Sequence, residues 1–127
     1  MKTGLTILVV DDEPAVRQGI KFMLEHWGHQ VGIVEGGAEA LALLAQHTFD
    51  VVITDFYMPG MRGDQLVARI RQLLPEQRII MVTAFAEDRA MLGSSTTNID
   101  ALLPKPFTLT DLHDTIERIT MGAAVRG

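Results

Sequence analysis

The stretch "VVITDFYMPG", Val51 to Gly60, decides the fold. Val51 to Thr54 are β-branched on consecutive positions, the pattern of a strand buried on both faces. The run then meets a bare acid, Asp55, with a proline and a glycine within the next five residues. An apolar strand has no packing need for a carboxylate at its end. The strand is therefore read as a rigid post that holds Asp55 in place.

Working outward, the same alternation recurs along the chain. "LTILVV", Leu5 to Val10, is a short buried strand. Pro14 suits the first turn of a helix, and Val16, Ile20, Met23, Leu24 and Trp27 follow at helical spacing before Gly28 stops it. Val31 to Val34 is a second strand. "GGAEALALLAQH" is a second helix whose inner face is assigned to Ala38, Leu41, Leu44 and Ala45. After the Val51–Thr54 strand, Leu66, Ile70 and Leu73 mark a third helix, closed by Pro75. Ile79 to Val82 is a fourth strand, followed by a weaker helical stretch from about Ala86. Ala101 to Leu103 is a fifth strand. Leu112, Ile116 and Ile119 mark a last helix, with Thr108 as N-cap and Asp111 as its capping-box partner. Five strand–helix units with strands apolar on both faces predict a doubly wound parallel sheet covered by helices on both sides.

Composition bounds the rest. The 127 residues form a single domain, with a core at about residues 5–120 and a frayed tail at 121–127. At 47% hydrophobic and 21% charged residues, the chain is that of a soluble globular protein. There is no cysteine, which excludes disulfides and thiolate metal sites. The net charge of -5 argues against direct nucleic-acid binding. No apolar run reaches the length of a membrane span, and no signal peptide opens the chain, so a cytoplasmic location is expected. The four histidines form no ligand pattern and are assigned to the surface or to helix ends.

In a parallel sheet, ligands bind at the carboxyl ends of the strands, near the switch in strand order. Strand one delivers Asp11 and Asp12 there, strand three Asp55, strand four Thr83, and strand five leads into Lys105. Three carboxylates, a hydroxyl and an ammonium should converge in one shallow pocket. Clustered carboxylates repel one another unless a cation joins them, and hard oxygen donors suit Mg2+. With such an ion, one carboxylate can act as the nucleophile on a phosphoryl group, with Lys105 and Thr83 contacting the phosphoryl oxygens.

"VVDDE" after the first strand, "ITDFYMPGMRG" after the third, "MVTAF" after the fourth and "LPKPF" after the fifth resemble the receiver domain of bacterial two-component response regulators. The resemblance spans roughly Thr6 to Ile119. It implies a flavodoxin-like (βα)5 three-layer sandwich with strand order 2-1-3-4-5. It implies that Asp55 accepts phosphate from a histidine kinase or phosphotransfer protein. Asp12 and Asp55, with the backbone carbonyl of Tyr57, would bind Mg2+, and Asp11 would act through a water. Thr83 and Lys105 would contact the phosphoryl group, and the Lys105–Pro106 bond would be cis. The signal would leave through the fourth helix, fifth strand and fifth helix, towards an output domain or a partner protein. Homodimerisation stays open, as do the cognate kinase and the question of whether the chain is part of a longer regulator. Such a module is a signalling switch rather than an enzyme, although it assists its own phosphotransfer and slow dephosphorylation.

Two other classes fit the residues less well. A phosphatase with an aspartate nucleophile wants a second acid two residues on, where this chain has Tyr57. A flavin domain of this topology wants a phosphate-cradling loop after strand one, where "DDEPAV" is acidic. Three departures from the family pattern carry expectations. Leu102 stands where a Tyr or Phe switch ring is usual, so a muted side-chain switch is expected. Tyr57 and Phe85 flank the pocket mouth and should slow the loss of phosphate to water. "GSSTT", Gly93 to Thr97, forfeits on the order of 3 kcal/mol of helix preference and predicts a marginal fourth helix.

Overall fold

The computed structural model describes residues 4–84 and 98–126, with side chains as far as Thr120. The five strands are β1 (Thr6–Val10), β2 (Gln30–Val34), β3 (Val51–Asp55), β4 (Arg78–Thr83) and β5 (Ala101–Pro104). They form one parallel sheet in the order β2-β1-β3-β4-β5. The register pairs Val9 with Ile33 and Ile53, Asp55 with Val82, and Thr83 with Pro104. Helices α1 (Pro14–His26), α2 (Gly37–Gln46) and α3 (Gly63–Leu73) and the C-terminal helix (Leu109–Arg126) are the helices among the described residues. The fourth helical stretch and the expectations on Phe85 and Gly93–Thr97 lie outside those residues.

Alternating side chains of each strand enter opposite layers, which explains why the strands read as continuous apolar runs. Leu8, Val10, Val52, Ile79 and Met81 pack with Ala40 and Leu44 of α2 and Leu66, Val67 and Ile70 of α3. Ile7, Val9, Ile53, Ile80 and Val82 pack with Ile20 and Leu24 of α1 and with Leu112, Ile116 and Ile119 of the C-terminal helix. The chain leaves β1 towards β2 and returns to β3 on the other side. The change of direction therefore lies between β1 and β3, and it opens a crevice at their carboxyl ends.

The capping box at the last helix is present in both directions. The Asp111 amide donates to Thr108 Oγ1 at 3.0 Å, and the Thr108 amide donates to Asp111 Oδ2 at 2.9 Å. That helix continues to Arg126, beyond Met121, where composition suggests fraying. Gly28 closes the turn after α1 with φ 87, a conformation that favours glycine.

Three assignments change. The inner face of α2 is Gly37, Ala40 and Leu44, and Ala38 and Ala45 are exposed. Small alanines on every side of this helix weaken its periodic signal. On α3 the inward positions are Gly63, Leu66, Val67 and Ile70, which turns Leu73 out to solvent at the helix end. His29 is buried rather than at the surface, and its Nδ1 accepts a hydrogen bond from the Leu5 amide at 3.2 Å. No helix among the described residues is long and apolar enough to cross a membrane.

Candidate functional site

At the carboxyl edge of the sheet, Asp11, Asp12 and Asp55 each offer an oxygen within 4.8 Å of the others. Asp55 is the last residue of β3, and Asp11 directly follows β1. Asp55 is buried, and its Oδ1 accepts from the Phe56 amide at 3.0 Å. Asp11 is also buried. Its amide donates to the Val34 carbonyl at 3.2 Å, and its Oδ1 accepts from the Glu13 amide at 2.9 Å.

Lys105 reaches in from the end of β5. Its Nζ lies 3.4 Å from Asp55 Oδ1 and 3.9 Å from Asp11 Oδ2. The Lys105–Pro106 bond is cis. Thr83 ends β4 as a buried residue, and its carbonyl accepts from the Lys105 amide at 2.7 Å. The sheet thus brings every acid, hydroxyl and ammonium singled out in the sequence to one edge. Tyr57 lies on the rim, 44% exposed, with its ring edge-on to Phe56 at 4.9 Å between centroids.

Burial dominates the electrostatics. It pushes the Asp55 carboxyl up to about 6, against the pull of Lys105 and with further repulsion from Asp11. Asp11 is raised as well, again chiefly by burial, with the Glu13 amide and Lys105 opposing. When all are ionised, three carboxylates face one ammonium. The donor set fits a hard divalent cation: clustered oxygens, no imidazole among them, and two buried acids that a positive charge would hold ionised. Asp11, Asp12 and Asp55 are the side chains that could hold it.

Two contributors escape a reading of the sequence. Gly63 opens α3 hard against β3, and its amide donates to the Phe56 carbonyl at 2.7 Å. A Cβ there would collide with the Asp55 carbonyl oxygen and come within 2.9 Å of Phe56 Cα. The only sequence signal is a glycine at a helix start eight residues after the acid. Arg17 is the other: its Nη1 donates to the Asp11 carbonyl at 2.7 Å. Nearby, Asp64 is a helix-start charge, as its position suggests, and also forks with Arg62 at 2.8 and 3.0 Å. The Arg62 guanidinium lies over the Phe56 ring at 5.4 Å.

The comparisons with known proteins agree with this geometry. A family model described as the response regulator receiver domain matches residues 7–117. The chain is 36% identical to the response regulator protein FleR of Pseudomonas aeruginosa, over 91% of this chain but 24% of FleR. It is 30% identical to the chemotaxis protein CheY-3 of Vibrio cholerae, covering 94% of both chains. The chain thus spans about a quarter of one curated relative and nearly all of another. Among solved structures it is similar to the response regulator TrrA of Thermotoga maritima in complex with Mg2+ and BeF. That match has a TM-score of 0.84 and 33% identity, over 91% of this chain and 98% of that one. The matched residues take in β1 from Ile7 on, which leads to Asp11, and the Lys105 segment that closes the same edge, and on that ground the chain belongs to the response regulator receiver domain family.

Proposed function

We propose that this receiver domain is a phosphoacceptor switch. Asp55 takes a phosphoryl group from the phosphohistidine of a sensor histidine kinase or phosphotransfer protein, with Mg2+ as cofactor, in the cytoplasm. The unit is the whole chain, with its core at about residues 5–120. One observation carries the reading: a buried carboxylate at a strand end, with an ammonium at 3.4 Å and two further acids within 4.8 Å.

In the transfer, an Asp55 oxygen forms a bond to phosphorus and the P–N bond to the donor histidine breaks. The bonding pair returns to the imidazole, and the product is an acyl phosphate on Asp55. Asp12 and Asp55, with the Tyr57 carbonyl, would hold Mg2+ directly, and Asp11 through a water. When bound, Mg2+ supplies positive charge that keeps Asp55 ionised at neutral pH and offsets the charge of the phosphoryl oxygens. Lys105 and Thr83 supply an ammonium and a hydroxyl to those same oxygens.

On this reading the exposed Tyr57 ring, edge-on to Phe56, flanks the path of water to the acyl phosphate. We therefore expect Tyr57→Ala to lose its phosphoryl group faster, and an unchanged decay rate would remove this steric reading. The signal leaves through β5 and the C-terminal helix, together with the segment that joins β4 to β5. A cleft of about 430 Å³ lies on that face, lined by Leu102, Leu103, Pro104, Pro106 and Asp114 among others.

The test is a titration with Mg2+ and beryllofluoride, followed by amide NMR and Trp27 fluorescence. A saturable change that Asp55→Asn abolishes supports the switch. No saturable change, or one that survives in Asp55→Asn, defeats it.

A further inference from the structure

We infer that Arg17 is a positioning residue for the cation site, setting the direction of the Asp12 carboxylate through the Asp11–Asp12 peptide. The inference rests on reading the acid cluster as a Mg2+ site, and it adds a residue outside that cluster to the machinery.

The argument begins with how unequally the two neighbouring acids are held. Every polar group of Asp11 has a partner. Its amide is tied to the Val34 carbonyl, Oδ1 to the Glu13 amide, and Oδ2 faces Lys105 at 3.9 Å. Its carbonyl oxygen accepts from Arg17 Nη1 at 2.7 Å. Asp12 differs: among the described residues, no hydrogen bond or ion pair holds its carboxylate. Its carboxylate is nevertheless one of the three that converge within 4.8 Å. Its direction is therefore set by its own backbone, and the peptide that leads into that backbone carries the carbonyl held by Arg17.

Arg17 is well placed to act as a fixed strut. It sits in the first turn of α1, and its amide donates to the Glu13 carbonyl at 3.0 Å, so its stem springs from regular helix. The guanidinium then reaches back across the β1–α1 loop to Asp11. A charged donor to a carbonyl makes a stronger hydrogen bond than a neutral pair would. The loop between β1 and α1 is thus closed at both ends by helix-borne and strand-borne groups, and Asp12 lies between them.

The sign of the effect separates positioning from simple charge. Arg17 is a cation near a cluster meant for a cation. If only its field mattered, removing it would tighten Mg2+ binding. If it orients Asp12, removing it weakens binding. Arg17→Met keeps the aliphatic stem and removes the donor. Loss of a group that orients a metal ligand lowers affinity about tenfold.

The experiment measures Mg2+ affinity by calorimetry for the wild type, Arg17→Met and Arg17→Lys, and the Asp12 and Glu13 amide resonances of each without metal. The expected result is about tenfold weaker binding in Arg17→Met, with part of the loss recovered in Arg17→Lys, which keeps a charged donor. The Asp12 and Glu13 resonances should move in Arg17→Met before any metal is added. Unchanged or tighter Mg2+ binding in a folded Arg17→Met overturns the inference. A wild type that binds no Mg2+, with resonances that still move in Arg17→Met, defeats the Mg2+ reading and upholds the orientation of Asp12 by Arg17. Resonances that do not move overturn it in either case.

Discussion

Asp55 is held where its own charge is unwelcome, and this has a measurable effect on stability. Its carboxyl is pushed up to about 6 by burial, so without metal the native state binds a proton that the unfolded chain, at 3.8, has already released. Between those values stability falls as pH rises, and above the upper one the loss is complete. Asp55→Asn should therefore be more stable than the wild type at pH 7.5 in chelator, by about 1 kcal/mol after allowance for screening by solvent. Urea unfolding reads this directly, and a less stable variant would contradict it. Added Mg2+ should stabilise the wild type more than the variant, because a ligand that binds only the native state adds to its stability. Gly63 is the other residue whose identity is dictated by contact. A methyl there meets backbone atoms of Asp55 and Phe56, which cannot swing away as a side-chain tip can. Gly63→Ala should cost about 2 to 3 kcal/mol, read as a lower urea midpoint. It should also weaken Mg2+ binding, since the backbone of Asp55 itself must shift. Wild-type stability and affinity in this variant would show that the helix start yields freely.

At the level of elements, strands were easier to read in the sequence than helix faces. β3 and β4 are legible because each carries a run of consecutive large apolar residues, 51–53 and 79–82, and each ends in a chemical group. The residues of the site were legible for the same reason: topology sends all the strand ends to one edge, whatever the loops do. Helix faces were less clear where the signal residues are small or sit at an end. Ala38 and Ala45 carry too little hydrophobicity to mark a face of α2, and Leu73 falls in the last turn of α3, where the inward stripe has run out. Gly63 and Arg17 were not legible, because a steric contact and a hydrogen bond to a carbonyl leave no periodic trace. Leu102 of β5 is half-buried, and it packs into the layer of α2 and α3, while its neighbours Ala101 and Leu103 enter the opposite layer. With no ring to swing between exposed and buried states, β5 should respond to phosphorylation by backbone displacement. Structures of the free and beryllofluoride-bound protein should show Thr83 moving with only a small change at Leu102. A large Leu102 rotamer exchange beside a stationary Thr83 would refute this.

For the whole molecule, acid acts in two opposite directions. His29 is buried, and its imidazole is held below its ordinary range by that burial and by His113. The unfolded chain takes up this proton first. The His29 contribution is therefore complete above about pH 6.5 and is lost as pH falls below it. Asp55 works the other way over a partly shared range. The metal-free wild type should show a shallow pH profile of stability between 5 and 7.5, and Asp55→Asn should expose a steeper loss towards acid. Adding His29→Gln to that variant should flatten the profile again. A profile that is equally shallow in Asp55→Asn would mean that the two groups do not oppose each other. The fold also constrains how the switch exchanges information. Thr83 ends β4 and Lys105 directly follows β5, and the Lys105 amide is bonded to the Thr83 carbonyl at 2.7 Å, so displacing one pulls on the other. On the proposed function the two arms would act as one lever, with its handle on β5 at the edge of the sheet. On that proposed function, coupling through such a lever would be reciprocal: whatever an acyl phosphate did to the affinity of a partner bound at β5, that partner would do, by the same factor, to the affinity of the pocket for a phosphoryl mimic. A target protein would then be more than a receiver of the message, because by holding the handle it would help to keep the message written.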